Sequence, residues 1–121
     1  MRKKLSMALA ATAAVSAIAT ATAFAHTELK STYPAKGKSA STRIGSVSAT
    51  FSASIRGGSI KVTGPGGKVV SSGSGGRDPR NVKRLKVPLK SGLRAGSYKA
   101  SWTMKAADGH TQTGSFTFKL K

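Results

Sequence analysis

The sequence predicts an all-β protein, a single Greek-key barrel or sandwich of about seven short strands. Three observations carry this. Apolar and polar residues alternate at period two along five separate segments. Glycine- and proline-rich turns separate those segments at a spacing of roughly 8–12 residues, as in small sandwiches. Beyond residue 25 no apolar i, i+3, i+4, i+7 pattern survives, so helix signals are absent.

The elements follow in chain order. A short strand is expected near Leu29–Tyr33. Val47, Ala49 and Phe51 then alternate with Ser46, Ser48, Thr50 and Ser52, and Ile60 and Val62 with Lys61 and Thr63. A second short strand is expected at Val69–Val70, and Leu85, Val87 and Leu89 alternate with Lys86, Pro88 and Lys90. Tyr98, Ala100, Trp102 and Met104 alternate with Lys99, Ser101, Thr103 and Lys105, and Phe116, Phe118 and Leu120 with Thr117 and Lys119. One apolar and one polar face per strand suits antiparallel sheets. Turns are marked by Gly57-Gly58, Gly64-Pro65-Gly66-Gly67, Asp78-Pro79, Ser91-Gly92 and Ala95-Gly96. The Gly- and Ser-rich stretch Ser71 to Arg80 reads as a flexible loop. Pro88, which offers no N–H to a ladder, points to an edge strand.

The first 25 residues stand apart from this pattern. Met1-Arg2-Lys3-Lys4 precedes an Ala-rich apolar run that ends in Ala23-Phe24-Ala25. A cationic start, an apolar stretch and a small-x-small ending form a secretory signal peptide, with cleavage expected between Ala25 and His26. An uncleaved anchor is the alternative; the run is about long enough to span, but its Ala, Thr and Ser content makes it weakly hydrophobic. Cleavage leaves residues 26–121 as one soluble, monomeric domain, exported to the periplasm or the medium.

Composition excludes several chemistries. The 121 residues contain no cysteine, so disulfides, thiolate metal sites and thiol catalysis are closed. Only Glu28, Asp78 and Asp108 carry carboxylates, which leaves little room for paired acid–base catalysis. Removing Arg2, Lys3 and Lys4 from the formal +18 leaves +15 on the mature chain. The basic residues are spread along the sequence, and an exported chain meets little nucleic acid, so no nucleic-acid partner is expected. Electrostatic adsorption to anionic envelope polymers or headgroups suits the charge better.

The two histidines carry the chemistry. After cleavage His26 is the first residue, with a free amine of ordinary pKa about 8 beside its imidazole. Amine nitrogen and Nδ1 of one residue can chelate a single ion in a six-membered ring. His110 stands in Asp108-Gly109-His110, where extended backbone would present carboxylate and imidazole on one side. Should the chain ends meet, His26, Asp108 and His110 supply three nitrogens and one oxygen. That set in a tetragonal plane suits Cu(II) best and Ni(II) second, whereas zinc prefers a tetrahedron. A turn in which Asp108 bonds its own backbone is the plain alternative for the motif. Met104, the one methionine beyond residue 25, falls on an apolar strand face and reads as core.

The chain resembles the CopC copper-resistance proteins. The resemblance lies in His26-Thr27-Glu28-Leu29 with Ser31-Thr32-Tyr33-Pro34-Ala35-Lys36-Gly37, in Thr50-Phe51-Ser52, in Leu93-Arg94-Ala95-Gly96-Ser97-Tyr98 with Trp102, and in Ala107-Asp108-Gly109-His110 followed by Gly114 and Phe116-Thr117-Phe118. It implies a cupredoxin-like or immunoglobulin-like barrel and a periplasmic or secreted Cu(II) carrier rather than an enzyme. It also implies a copper site built from the amine and imidazole of His26 with Asp108 and His110. Such a protein would sequester copper or hand it to an inner-membrane importer. Two departures matter. Where family members often carry a glutamate after the strand phenylalanine, this chain has Ser52, and Glu28 is the candidate substitute. The Met-rich Cu(I) loop of some members is absent from Gly57–Arg80.

Two rival readings differ in class. A first-residue histidine with a second histidine is also the ligand set of copper polysaccharide monooxygenases, which present a flat aromatic face. Alternatively, the chain is a cationic module for anionic envelope polymers, with no metal role.

Overall fold

The computed structural model describes residues 27–121, which form a sandwich of two four-stranded sheets. The strands are β1 Leu29–Tyr33, β2 Ser39–Ala40, β3 Ser46–Phe51, β4 Ile55–Thr63, β5 Gly76–Asp78, β6 Asn81–Pro88, β7 Gly96–Ala106 and β8 Thr111–Leu120. One sheet runs β1-β3-β6-β5 and the other β2-β8-β7-β4. The expected signal peptide, residues 1–25, and His26 lie outside the described residues.

Period-two alternation becomes two facing apolar layers. Val47, Ala49, Phe51, Leu85 and Val87 from one sheet meet Ile60, Val62, Tyr98, Ala100, Trp102, Met104, Phe116, Phe118 and Leu120 from the other. Phe51 and Trp102 meet edge to face across the sandwich, with centroids 5.0 Å apart and planes at 76°. Tyr98 stacks on Phe118 at 5.8 Å. Such pairs add about 0.5–1.5 kcal/mol each beyond the area they bury. The Tyr98 hydroxyl donates to the Arg94 carbonyl at 2.6 Å, pinning the loop that leads into β7. The Trp102 indole N–H is buried with no partner among the described residues. Met104 is fully buried, as its alternation predicts.

Three local expectations are corrected, and one further strand is found. Val69 makes only a single bridge to Thr63, so no strand forms at Val69–Val70. Within the expected loop Ser71 to Arg80, Gly76–Asp78 forms β5 on β6, held by the buried Asp78 carboxylate 3.5 Å from Arg84. β2 is an eighth strand, too short to alternate, which lies parallel to β8 with Ser39 opposite Lys119. Pro88 ends an interior strand. β5 stops at Gly76 opposite Lys86, and beyond it the Ser72 N–H donates to the Pro88 carbonyl, so the missing N–H disrupts no ladder.

The segment from Lys68 to Gly75 closes the gap between the sheets. Along β4, the Ile60 N–H donates to Ser74, the Val70 N–H to Val62, and the Val62 N–H to the hydroxyl of the buried Ser71. Towards the other sheet, the Ser72 N–H bonds Pro88 and the Lys90 N–H bonds Val70. Gly75 has φ +68, and a Cβ there would stand 2.6 Å from the Lys86 carbonyl and 2.9 Å from Val87. Only glycine permits that approach.

Candidate metal centre

The β7–β8 hairpin presents the motif at one end of the sandwich. The Gly109 N–H donates to the Ala106 carbonyl at 2.9 Å and the Ala106 N–H to the His110 carbonyl at 2.8 Å, closing a tight turn. Gly109 takes φ +95, a region that side chains disfavour. The turn, not extended backbone, therefore brings Asp108 and His110 together. Asp108 Oδ1 accepts the His110 backbone N–H at 2.9 Å, and Oδ2 stands 2.9 Å from His110 Nδ1. The self-bonded turn and the carboxylate–imidazole pair are thus the same structure. The His110 backbone N–H foremost, then its ring, holds the Asp108 carboxyl below the ordinary carboxylate value.

A carboxylate beside Nδ1 favours the tautomer with the proton there and leaves the Nε2 lone pair free. His110 is 82% exposed and Asp108 62%. An ion held there would be reachable from solvent, which suits cargo better than a structural metal.

Two contacts that sequence reasoning missed position this hairpin. Arg56, at the start of β4, donates from Nε to the Ala107 carbonyl at 3.0 Å. Arg77 of β5 donates to the Ile55 carbonyl at 3.1 Å, and Ile55 is itself opposite Ala106. The hairpin is thereby tied to both sheets. No spacing signal marks Arg56, because its partner lies 51 residues away.

The N-terminal segment reaches the same end. Leu29 pairs with Phe51, and one residue earlier the Glu28 N–H donates to the Ser52 hydroxyl at 2.9 Å while the Ser52 N–H donates to the Glu28 carbonyl at 2.8 Å. Ser52 opens the β3–β4 turn, which enters β4 at Ile55 beside the hairpin. Ser52 thus anchors the incoming chain. Among the described residues no three His, Cys, Asp or Glu side chains come close enough to share an ion, so Glu28 does not join the Asp108–His110 pair. No helix among them is long and apolar enough to cross a membrane.

Comparison with known proteins agrees with this architecture. Residues 29–121 match the family model described as the CopC domain. The chain is 29% identical over 106 residues to Protein YobA of Escherichia coli K12, across 86% of each chain. It is 46% identical over 48 residues to Copper resistance protein C of Pseudomonas syringae pv. tomato, covering 40% of this chain and 36% of that one. The crystal structure of PcoC, a methionine-rich copper resistance protein from Escherichia coli, superimposes with TM-score 0.65 and 28% identity over 80% of this chain and all of that one, 100%. CopC from Methylosinus trichosporium OB3b shares the fold, with TM-score 0.65 and 20% identity over 79% of this chain and 94% of that one.

Proposed function

The chain belongs to the CopC family, and we propose that it is an exported copper carrier that binds a single Cu(II) through His26, Asp108 and His110. The observation that carries this is the Asp108–His110 pair, with carboxylate and imidazole donor atoms 2.9 Å apart, at the end of the sandwich where β1 begins. The His26 amine and Nδ1 form the chelate, and His110 Nδ1 and Asp108 Oδ2, 2.9 Å apart, close the square as neighbouring ligands once the proton they share is given up to solvent. Cu(II) is preferred because the donors are nitrogen and oxygen. The one methionine beyond residue 25, Met104, is sealed in the core and offers no thioether to Cu(I).

The carrier works in the periplasm or outside the cell as a monomer, and it sequesters the ion or passes it to an inner-membrane importer. An oxidative enzyme fits less well. Tyr98, Trp102, Phe116 and Phe118 are all buried, so none of them forms an aromatic substrate platform.

The test compares the chain beginning at His26 with the same chain carrying one glycine ahead of it. Each is titrated with Cu(II) and followed by electron paramagnetic resonance. The expected result is one tight equivalent with a tetragonal, nitrogen-rich spectrum that the added glycine abolishes or alters. Equal weak binding by both would overturn the terminal chelate.

A further inference from the structure

The outward face of the β2-β8-β7-β4 sheet carries a pattern that copper binding does not use. Lys61 on β4 lies opposite Ser101, Lys99 on β7 lies opposite Thr63 and Thr117, and Lys119 on β8 lies opposite Ser97 and Ser39. Each step from Lys61 to Lys99 to Lys119 moves one strand across and two residues along in the same direction. The three lysines therefore form a straight diagonal, with about 8 Å between successive positions from strand spacing and rise. All three are exposed, while their neighbours Ile60, Val62, Tyr98, Ala100, Phe118 and Leu120 point into the core.

The chemistry of this face is uniform. Its strands contain no acidic residue, since Asp78 is on β5, Asp108 in the hairpin turn and Glu28 ahead of β1. Among the described residues the carboxylate pairs are Arg84–Asp78 and His110–Asp108, so these lysines have no ion-pair partner there. Between them the outward positions are hydroxyls, and a shallow concavity of about 830 Å³ follows the same face, lined by Lys61, Lys99 and the hydroxyls of Ser101, Thr103, Thr113 and Ser115 together with Ile60, Val69 and Trp102.

We infer that this face docks a linear acidic polysaccharide, with its carboxylates on Lys61, Lys99 and Lys119 and its sugar hydroxyls on the flanking Ser and Thr. Charge complementarity selects a polyanion for a +15 domain. The straight row selects an extended chain, and the hydroxyl lining selects a hydroxylated one. A lipid surface fits less well, because interfacial binding buries several large apolar side chains and Val69 is the one exposed among the described residues beside this row.

The test uses the chain beginning at His26, in metal-free buffer, on immobilised polygalacturonate, with neutral dextran and phosphatidylglycerol vesicles alongside. Wild type should bind polygalacturonate, release it as salt rises, and ignore dextran. The K61Q/K99Q/K119Q triple variant should bind roughly tenfold or more weakly, and K68Q/K83Q/K90Q, which removes the same charge elsewhere, less than about threefold. Equal losses in the two variants would reduce the effect to net charge and overturn the located face. Tighter binding to the vesicles than to polygalacturonate would overturn the choice of partner. Chelated buffer keeps either failure separate from a failure of the copper reading.

Discussion

Gly114 lies directly beneath the indole of Trp102: a Cβ on Gly114 would stand 2.4 Å from Cζ2 and 2.8 Å from Cε2 of that ring. The two residues are partners across the β7–β8 ladder, so neither can shift without breaking register. Gly114→Ala is expected to cost about 1–3 kcal/mol through overpacking. Gly57→Ala, whose Cβ would meet nothing within 4 Å, should change stability by less than about 0.5 kcal/mol or raise it. Urea unfolding followed by fluorescence of the sole tryptophan checks both, and equal stability of the Gly114 variant and wild type would contradict the packing described.

Tyr98 holds the approach to β7 through one hydroxyl. Tyr98→Phe keeps the ring stacked on Phe118 and removes only the bond to the Arg94 carbonyl. A loss of about 0.5–1.5 kcal/mol is expected, the ordinary net worth of such a bond. Calorimetry on the purified variant measures it.

Acid should act on the fold through Asp78. The Arg80 backbone N–H foremost, with Lys86 and Arg84 nearby, holds its carboxyl below the ordinary 3.8. A folded value below the unfolded one means that the carboxylate stabilises the fold fully above pH 3.8 and loses that contribution as pH falls through the folded value. Asp78→Asn should therefore melt lower than wild type at neutral pH, and the gap should close on acidification. A gap that is constant from neutral pH to below 3.8 would rule out the charge as its origin.

The two halves of the hairpin pair should separate in copper affinity. Asp108→Asn replaces the charged oxygen ligand by a neutral amide and is expected to weaken Cu(II) binding by at least the roughly 10–100-fold that loss of an outer-shell partner costs. His110→Ala removes a ligand and should weaken it further. Competition against a Cu(II) chelator of known strength ranks them, and unchanged affinity in both would remove Asp108 and His110 from the site.

Copper should also stabilise the chain. An ion bound only by the folded state at 100 times its dissociation constant adds about 2.7 kcal/mol. Because the proposed ligands bind only when deprotonated, the shift in melting temperature should shrink as pH falls. A chain with a residue added before His26 should show little of it.

The strands that were legible in the sequence are those with one face in the core. Val47, Ala49 and Phe51, or Tyr98 through Met104, alternate because burial demands it, and the same demand sets their register. β5 was illegible because Gly76-Arg77-Asp78 has no apolar face; it is a strand through its ladder to β6 and the Asp78–Arg84 contact. Pro88 misled because its consequence depends on where a neighbouring strand ends, which the local sequence does not record. In the candidate site, residue type and spacing singled out Asp108 and His110, whereas the turn that joins them and the Arg56 tie to Ala107 are tertiary facts.

The Lys68–Gly75 segment has a consequence for coexistence at high concentration. β4 is nine residues long and stands at the outside of its sheet, where an open row of amides and carbonyls would invite a strand from another molecule. Ser71, Ser74 and Val70 occupy that row from within the chain. The protein can thus accumulate without β4 seeding intermolecular aggregates, and a proteolytic nick or insertion in Lys68–Gly75 would expose that edge and loosen the core contact that Val70 makes.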